Sequence, residues 1–536
     1  MRSVCLYFQV HQPFRLRTYR FFDIGDNHYY YDDYHNGQIM RRIAERSYLP
    51  MNQLFLKLIQ KYGKSFRLAF SISGSALDQF EMFAPEVLKS FQALAKTGNV
   101  EFLAETNAHS LASLRSKEEF ERQVLIQKER IEKYFGKSPT AFRNTELIYS
   151  DGIGEMIANL GFKVILTEGA RHLLGWKSPN LMYCNNINPK LKVLLRNYRL
   201  SDDIAFRFSN QGWSEWPLTT DKFVEWLNAL DQKQEVVNIF MDYETFGEHQ
   251  WKETGIFDFM EALPQAVFNQ SDFEFHTPSE LADMLQPVAV LNSPWPVSWA
   301  DEERDLTAWL GNDLQDEAVN NLYKLVEKVA QCNDASIQKD WNYLQNSDHF
   351  YYMCTKWFSD GEVHKYFNPY SSPYEAFINY MNVLSDFIIR VDKCLAANPA
   401  KPAEESTTNP NEASFFGKAE DLVEEIATEL KKSARQTSKK IKEAVNEMKE
   451  KKYTLDDLKD LSAAKLKKTI KDMDAENLVH ALKDAGDELT EKILPQLSAD
   501  MRKEYELIKT EIRKISKNDV KKARKKIEDE LKRIFS

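Results

Sequence analysis

Glycine is scarce in this chain, with 18 residues in 536, against an average usage of about 7%. A turn-rich all-β fold is hard to build on so few, and helices are favoured. Cysteine is scarcer: Cys5, Cys184, Cys332, Cys354 and Cys394 are odd in number and far apart. No CxxC pair occurs, so neither a disulfide framework nor a zinc ribbon is indicated. No apolar run reaches 18 residues, so no membrane span is expected. The one apolar stretch near the N-terminus, Val4–Val10, is interrupted by Gln9 and too short for a signal-peptide core. Cytoplasmic residence is the resulting expectation. Positive charge is not in excess either. The formal net charge is −10, which argues against a chain built to grip nucleic acid or an anionic membrane.

The length instead calls for two to four domains. Short apolar runs at 3–10, 67–72, 100–103, 141–143, 164–166, 236–241 and 273–275 read as buried strands. Helical patterns such as 85–96, 117–134 and 221–230 lie between several of them. Strands alternating with helices predict a parallel α/β sheet or barrel, with the polar residues of interest just after the strands, at the C-terminal face. Beyond residue 300 the strand signals fade, and 313–332, 337–356 and 373–395 read as helices. The expected organisation is a catalytic barrel over 1–290, a helical subdomain over 291–395 and a Pro/Ser/Thr/Asn-rich linker over 396–414. An all-helical region over 415–536 follows, rich in Lys and Glu, with Leu422, Ile426, Leu430, Ile441, Val445 and Met448 mostly at helical spacing.

The densest polar cluster of the first 300 residues is Phe240–His249, FMDYETFGEH, directly after an apolar strand. Asp242 and Glu244 share strand parity there and so can face one side. A lone Asp at such a place is often only a helix cap, but this cluster is unusually rich in acids and aromatics. A second segment, FRNTELIY at 142–149, places Glu146 past another strand, where Arg143 could hold it ionised for attack as a nucleophile. An ordinary Arg–Glu pair is the alternative. Further candidates are His11, the run Glu101…Glu105…His109, His249, and the segment around Asp348. Trp213, Trp216, Trp251, Trp295, Trp299, Trp309 and Trp357 fall in or near expected loops or domain junctions. Indoles stack on the apolar faces of sugar rings while carboxylates and amides take the hydroxyls. Trp213 and Trp299 are accordingly counted, with His109 and His249, among the candidate substrate contacts.

Taken together, the motifs resemble glycoside hydrolase family 57, and its α-amylase-type members in particular. HQP (11–13), GNVEFLAET (98–106), FRNTELIY (142–149), MDYETFGEH (241–249) and LQNSDHFYY (344–352) resemble the five family motifs, in order. The resemblance implies an incomplete (β/α)7 barrel followed by a helical subdomain. It implies retaining cleavage of α-1,4-glucosidic bonds in starch, glycogen or maltooligosaccharides, with Glu146 as nucleophile and Asp242 as general acid/base. His11, Glu101, Glu244 and Asp348 are then expected to contact substrate or support groups that do. In a retaining enzyme the two carboxyl groups stand about 5–5.5 Å apart, and the acid needs a raised pKa.

Two departures bear on the sugar subsites: Gln9 stands where many members have His, and Asn107–Ala108 precede His109 where aromatics are expected. The same chemistry with a sugar acceptor gives a 4-α-glucanotransferase or branching enzyme. A glycan-binding protein without turnover and a metal-dependent deacetylase are weaker alternatives; the second lacks paired aspartates and a spaced His pair near His11. No cofactor or metal is expected. Residues 453–534 resemble the C-terminal helical domain of the flagellar motor-switch protein FliG, or equally a generic charged bundle. The region is expected to serve association with a protein partner or another copy of the chain.

Overall fold

The computed structural model describes residues 2–356 and 368–397, and in the C-terminal region residues 458, 466, 470, 473–483, 487–511 and 517–535. The described residues fall into two compact units, divided between residues 406 and 407. Trp357, nearly all of the expected linker and the Leu422–Met448 stretch lie outside the described residues.

The first unit contains ten strands: β1 (Arg2–Val10), β2 (Leu68–Ile72), β3 (Val100–Leu103), β4 (Ala141–Arg143), β5 (Val164–Glu168), β6 (Tyr183–Asn185), β7 (Lys192–Arg196), β8 (Val236–Asp242), β9 (Phe273–Phe275) and β10 (Ala289–Leu291). Seven run parallel in the order β3-β2-β1-β8-β7-β5-β4. The ring closes weakly between β3 and β4, through the parallel bridge Ala104–Phe142. It is also thin at β7–β8, where Arg196 and Asn238 are the paired residues. This is the incomplete (β/α)7 barrel, with helices such as Leu49–Tyr62, Pro85–Lys96 and Lys117–Phe135 between its strands.

Strand β7 is absent from the apolar runs that the sequence offered. The run 273–275 does not fill its place. It is β9, which pairs with the first three residues of β1, below the point at which β2 joins at Tyr7. β6 and β10 form a small extension on the edge of β7.

Because both faces of a barrel strand are covered, β1 is buried at all nine positions, and its apolar run is broken before Val10 only by Gln9. The period of two still sorts its residues. Val4, Leu6, Phe8 and Val10 join the outer core beneath the helices. Cys5 and Tyr7 join the inner core with Ala69, Leu103, Ala141, Val164, Leu166, Leu194 and Phe240. One step further along the same inward parity, each of the seven parallel strands carries a polar residue at or next to its end: Gln9, Ser71, Glu105 just past β3, Arg143, Glu168, Arg196 and Asp242. The apolar plug thus carries a polar layer at the C-terminal mouth, the end where barrel active sites sit.

After the barrel come the helices Asp313–Tyr323, Val326–Gln331, Ala335–Leu344, Ser347–Tyr351 and Pro373–Ala397. Two helices expected as continuous are therefore broken. The break at 345–346 has a clear cause: Asn346 is pulled out of helical register, its Oδ1 accepting from Phe14 N at 3.2 Å and its Nδ2 donating to Ser75 Oγ at 2.9 Å. The second unit, in its described part, consists of Ala475–Ala481, Asp487–Ile493, Ala499–Glu511 and Lys517–Phe535 around a core that includes Leu478, Ile493, Tyr505 and Ile527.

Candidate active site

A cleft of about 1150 Å³ opens over the polar layer and is lined by His11, His109, Glu146, Asp242, Glu244, His249, Trp299 and Asp348 among others. Eight of the ten candidate residues are thus brought together. Glu101 is not among the lining residues. It shares the inward parity of Leu103 and Glu105 but sits at the closed end of the barrel, where its carboxylate accepts from the backbone N–H and the hydroxyl of Ser279. Trp213 is also elsewhere, packed edge-on against Trp226 with ring centroids 6.1 Å apart, on the outer core.

Glu146 lies in the turn after β4 with φ 55°, and Leu147 follows with φ 53°. Left-handed backbone is costly for residues with a Cβ and persists where the surroundings impose it. Here the surroundings are specific. His109 Nε2 donates to Glu146 Oε1 at 2.9 Å, and Trp299 Nε1 donates to Oε2 at 2.6 Å. The peptide of Trp299 also donates to Glu146 O, at 3.2 Å. His109 itself has φ 49°, and its Nδ1 donates to the fully buried Glu105 at 2.8 Å. Gln9 Nε2 holds the other oxygen of Glu105 at 3.0 Å, while Gln9 Oε1 accepts from Ser71 at 2.6 Å and Tyr7 at 2.8 Å. A chain of oriented groups therefore runs from β1 and β2 through Gln9, Glu105 and His109 to Glu146.

The charges follow from this chain. Burial disfavours the His109 cation, but the two carboxylates outweigh it and push its pKa up to about 9, so both ring nitrogens carry protons at neutral pH. Burial would raise Glu146; the hydrogen bond and charge of His109, then the charge of Arg143, outweigh it and hold the carboxyl below its usual range. Arg143 is wholly buried, and none of its three guanidinium nitrogens hydrogen-bonds a protein group among the described residues. Its guanidinium packs on the Trp299 ring at 4.9 Å and acts through space on Glu105, Glu146 and Asp242.

Asp242, at the end of β8 beside Gln9 in register, is treated differently. Burial, then the negative charge of Glu146, push its pKa up to about 6. Glu244 is pushed up to about 8 by burial and then by Asp242, and is held by Tyr48 Oη and, at 3.3 Å, by Gln12 Nε2. His11 stacks on His109 with centroids 3.8 Å apart. Its Nε2 bonds Asp348 of the helical part at 2.8 Å and its Nδ1 bonds Ser73 at 2.7 Å. Burial and the His109 cation lower the His11 pKa.

A second network was not visible from the sequence. Arg196, at the end of β7, donates to Phe240 O at 2.7 Å and to Glu168 at 3.1 Å, and pairs with Asp202. Arg304 donates to Trp299 O and, at 3.3 Å, to Asp202. Arg304 and Asp301 both have φ 53°, and the 299–304 turn that presents Trp299 is tied at its ends by Trp299 N to Glu146 O and by Ser298 N to Arg304 O, at 3.1 Å. Its only sequence signal is the cluster of charges beside Trp299; their partners on β5 and β7 cannot be read from spacing.

A parallel barrel whose open end gathers half-buried carboxylates of opposed proton affinity, aromatics and histidines defines a carbohydrate-cleaving enzyme of the glycosidase class. The chain belongs to glycosyl hydrolase family 57: the family model matches residues 5–294. A curated relative from Methanocaldococcus jannaschii, named "Putative alpha-amylase", is 41% identical over 405 residues, covering 73% of this chain and 85% of the relative. Among solved structures, a GH57-type branching enzyme from Pyrococcus horikoshii aligns with TM-score 0.55 at 13% identity, over 79% of this chain and 94% of its own. The GH57 branching enzyme of Thermococcus kodakaraensis aligns with TM-score 0.54 at 12% identity and the same coverages. At those identities the likeness is one of fold. A second family model, the FliG C-terminal domain, matches residues 435–535.

Proposed function

We propose that the chain is a retaining α-glucan hydrolase of the α-amylase type, with Glu146 as nucleophile and Asp242 as general acid/base. The contrast in proton affinity between these two groups carries the reading. Near pH 5, a Glu146 held low by His109 is ionised, while an Asp242 raised to about 6 keeps its proton. In the first step Glu146 attacks the anomeric carbon and Asp242 gives its proton to the departing glycosidic oxygen. In the second, Asp242, now a carboxylate, takes a proton from water as the water oxygen displaces Glu146. His109 stays cationic throughout, and Trp299 keeps the free carboxylate aimed. Glu244 and Asp348 offer carboxyl oxygens to sugar hydroxyls, His11, with one ring nitrogen on Ser73 and the other on Asp348, orients Asp348, and His249 lines the same cleft.

The test is purified protein with maltoheptaose, products separated by size and their anomeric configuration followed by NMR. Shorter oligosaccharides released with retained configuration support the reading, and inversion or absence of cleavage would sink it. Oligosaccharides longer than maltoheptaose would move the assignment to a 4-α-glucanotransferase or branching enzyme. The match of residues 435–535 to the FliG C-terminal domain supports reading the second unit as a module for association rather than for chemistry.

A further inference from the structure

Beside the cleft lies a smaller groove of about 320 Å³, lined by Trp216, Pro217, Thr220, Thr254, Asp258 and Phe208 among others. Its volume is at the lower end of the range for small-ligand sites. Two chain segments connect it to the cleft. One lines the cleft through Phe206 and Arg207 and the groove through the next residue, Phe208. The other lines the cleft through Glu244 and His249 and the groove through Thr254 and Asp258.

Both segments carry aromatic rings that the fold leaves in solvent. Phe206 is 65% exposed, Trp251 63% and Trp216 42%. Single exposed apolar residues need no explanation, but a group of them rimmed by polar side chains marks a binding surface. The lining selects the ligand. It has a carboxylate and no Lys or Arg, which disfavours an anion. An indole and a proline ring offer a flat apolar wall, and the Thr220 hydroxyl with the Asp258 carboxylate offers hydrogen bonds in both directions. A neutral ring with one apolar face and several hydroxyls fits these features. Asp258 also complements the dipole of the helix Ile256–Gln270 in whose first turn it stands, but that role accounts for neither the exposed Trp216 of the groove nor the exposed Phe206 of the cleft.

We propose that this groove is a non-catalytic binding site for a further stretch of the α-glucan chain, which leaves the cleft over Phe206 and rests on Trp216. The proposal rests on the α-glucan reading above. It gives the enzyme added hold on long chains and none on oligosaccharides short enough to stay within the cleft.

The test uses the full chain with Trp216→Ala, Trp216→Phe and Asp258→Asn, none of which touches the cleft. Kinetics on maltotetraose are compared with those on glycogen and amylose, with thermal melting as a folding control. Trp216→Ala should raise KM for the polymers about three- to tenfold, the worth of one lost stacking contact. Its kcat, and both constants on maltotetraose, should stay as in the parent. Asp258→Asn should act in the same direction more weakly, and Trp216→Phe should restore most of the affinity. Unchanged polymer KM in both Trp216→Ala and Asp258→Asn overturns the groove and leaves the hydrolase reading standing. A parent enzyme that cleaves no α-glucan of any length overturns both.

Discussion

Glu146 and Asp242 share one cleft, yet the protein treats them in opposite ways. Around Glu146 it spends three neighbours: a histidine cation on one oxygen, an indole N–H on the other, and a buried guanidinium behind. Around Asp242 no side-chain hydrogen bond is found among the described residues, and burial with a like charge dominates. Burial alone therefore does not decide a carboxyl's state. Both groups are half-buried, and the difference lies in whether a donor faces the charged form. The arrangement also explains the partnerless Arg143: its charge is balanced by carboxylates acting at a distance. Replacing it would leave Glu105 and Glu146 in a less favourable field.

The comparison breaks most sharply at its ionised half. Glu146→Gln should lower turnover about a thousandfold or more while glucan binding persists, because an amide keeps the shape but forms no glycosyl ester. Activity within tenfold of the parent, measured on maltoheptaose, would remove Glu146 from the proposed role. Asp242→Asn should cost about a hundredfold or more, but selectively. Substrates with good leaving groups need little protonation, so their first step is spared, and azide should release the stalled intermediate as a glycosyl azide. Absence of both effects would show that Asp242 is not the acid.

The pH profile tests the contrast itself. The proposed mechanism needs Glu146 deprotonated and Asp242 protonated. Activity should therefore rise with pH through the depressed Glu146 pKa, and kcat/KM should fall again as pH rises past about 6. His109→Gln removes the cation that lowers Glu146. The acidic limb should move up in pH and activity should drop about ten- to a hundredfold, with the basic limb still set by burial of Asp242. An acidic limb that stays in place would mean that His109 does not set the charge of Glu146. A smaller change is expected from Arg304→Ala, which frees the turn presenting Trp299. A fall in kcat of about tenfold with little change in KM would mark loss of aim rather than of binding.

Much of this was legible in the sequence, for identifiable reasons. Strands covered on both faces leave long apolar runs, so β1 and β8 announce themselves, with His11 directly beyond the first and Asp242 closing the second. β7 was missed although its three apolar positions between Lys192 and Arg196 are as many as those of the run 164–166, so its length does not account for the omission. With it went Arg196 and the pairing to Glu168. Glu101 was misjudged as well. It has the right parity and the wrong height, and a motif records spacing along the strand without saying which end faces the cleft. Trp213 shows that an indole near an expected loop is as readily core as platform. The left-handed turn at Glu146 leaves no local mark such as glycine, because tertiary hydrogen bonds impose it.

The smallest effect is expected from the largest deletion. The described residues divide into units at 406/407, and all five motifs, with every residue that lines the cleft, precede that boundary. The region beyond Phe416 contains three aromatic residues, Tyr453, Tyr505 and Phe535. Tyr505 is buried in the core of its own helices, which leaves little with which to stack a sugar. Ending the chain at 406 should therefore leave a folded enzyme whose kcat and KM on a short maltooligosaccharide lie within about twofold of the full chain. Sedimentation of both forms, with and without glycogen, would show whether the removed region governs association. A truncated protein that melts cooperatively but has lost a hundredfold in kcat would place part of the active site beyond residue 406. The division between a chemical and an associating unit would then fail.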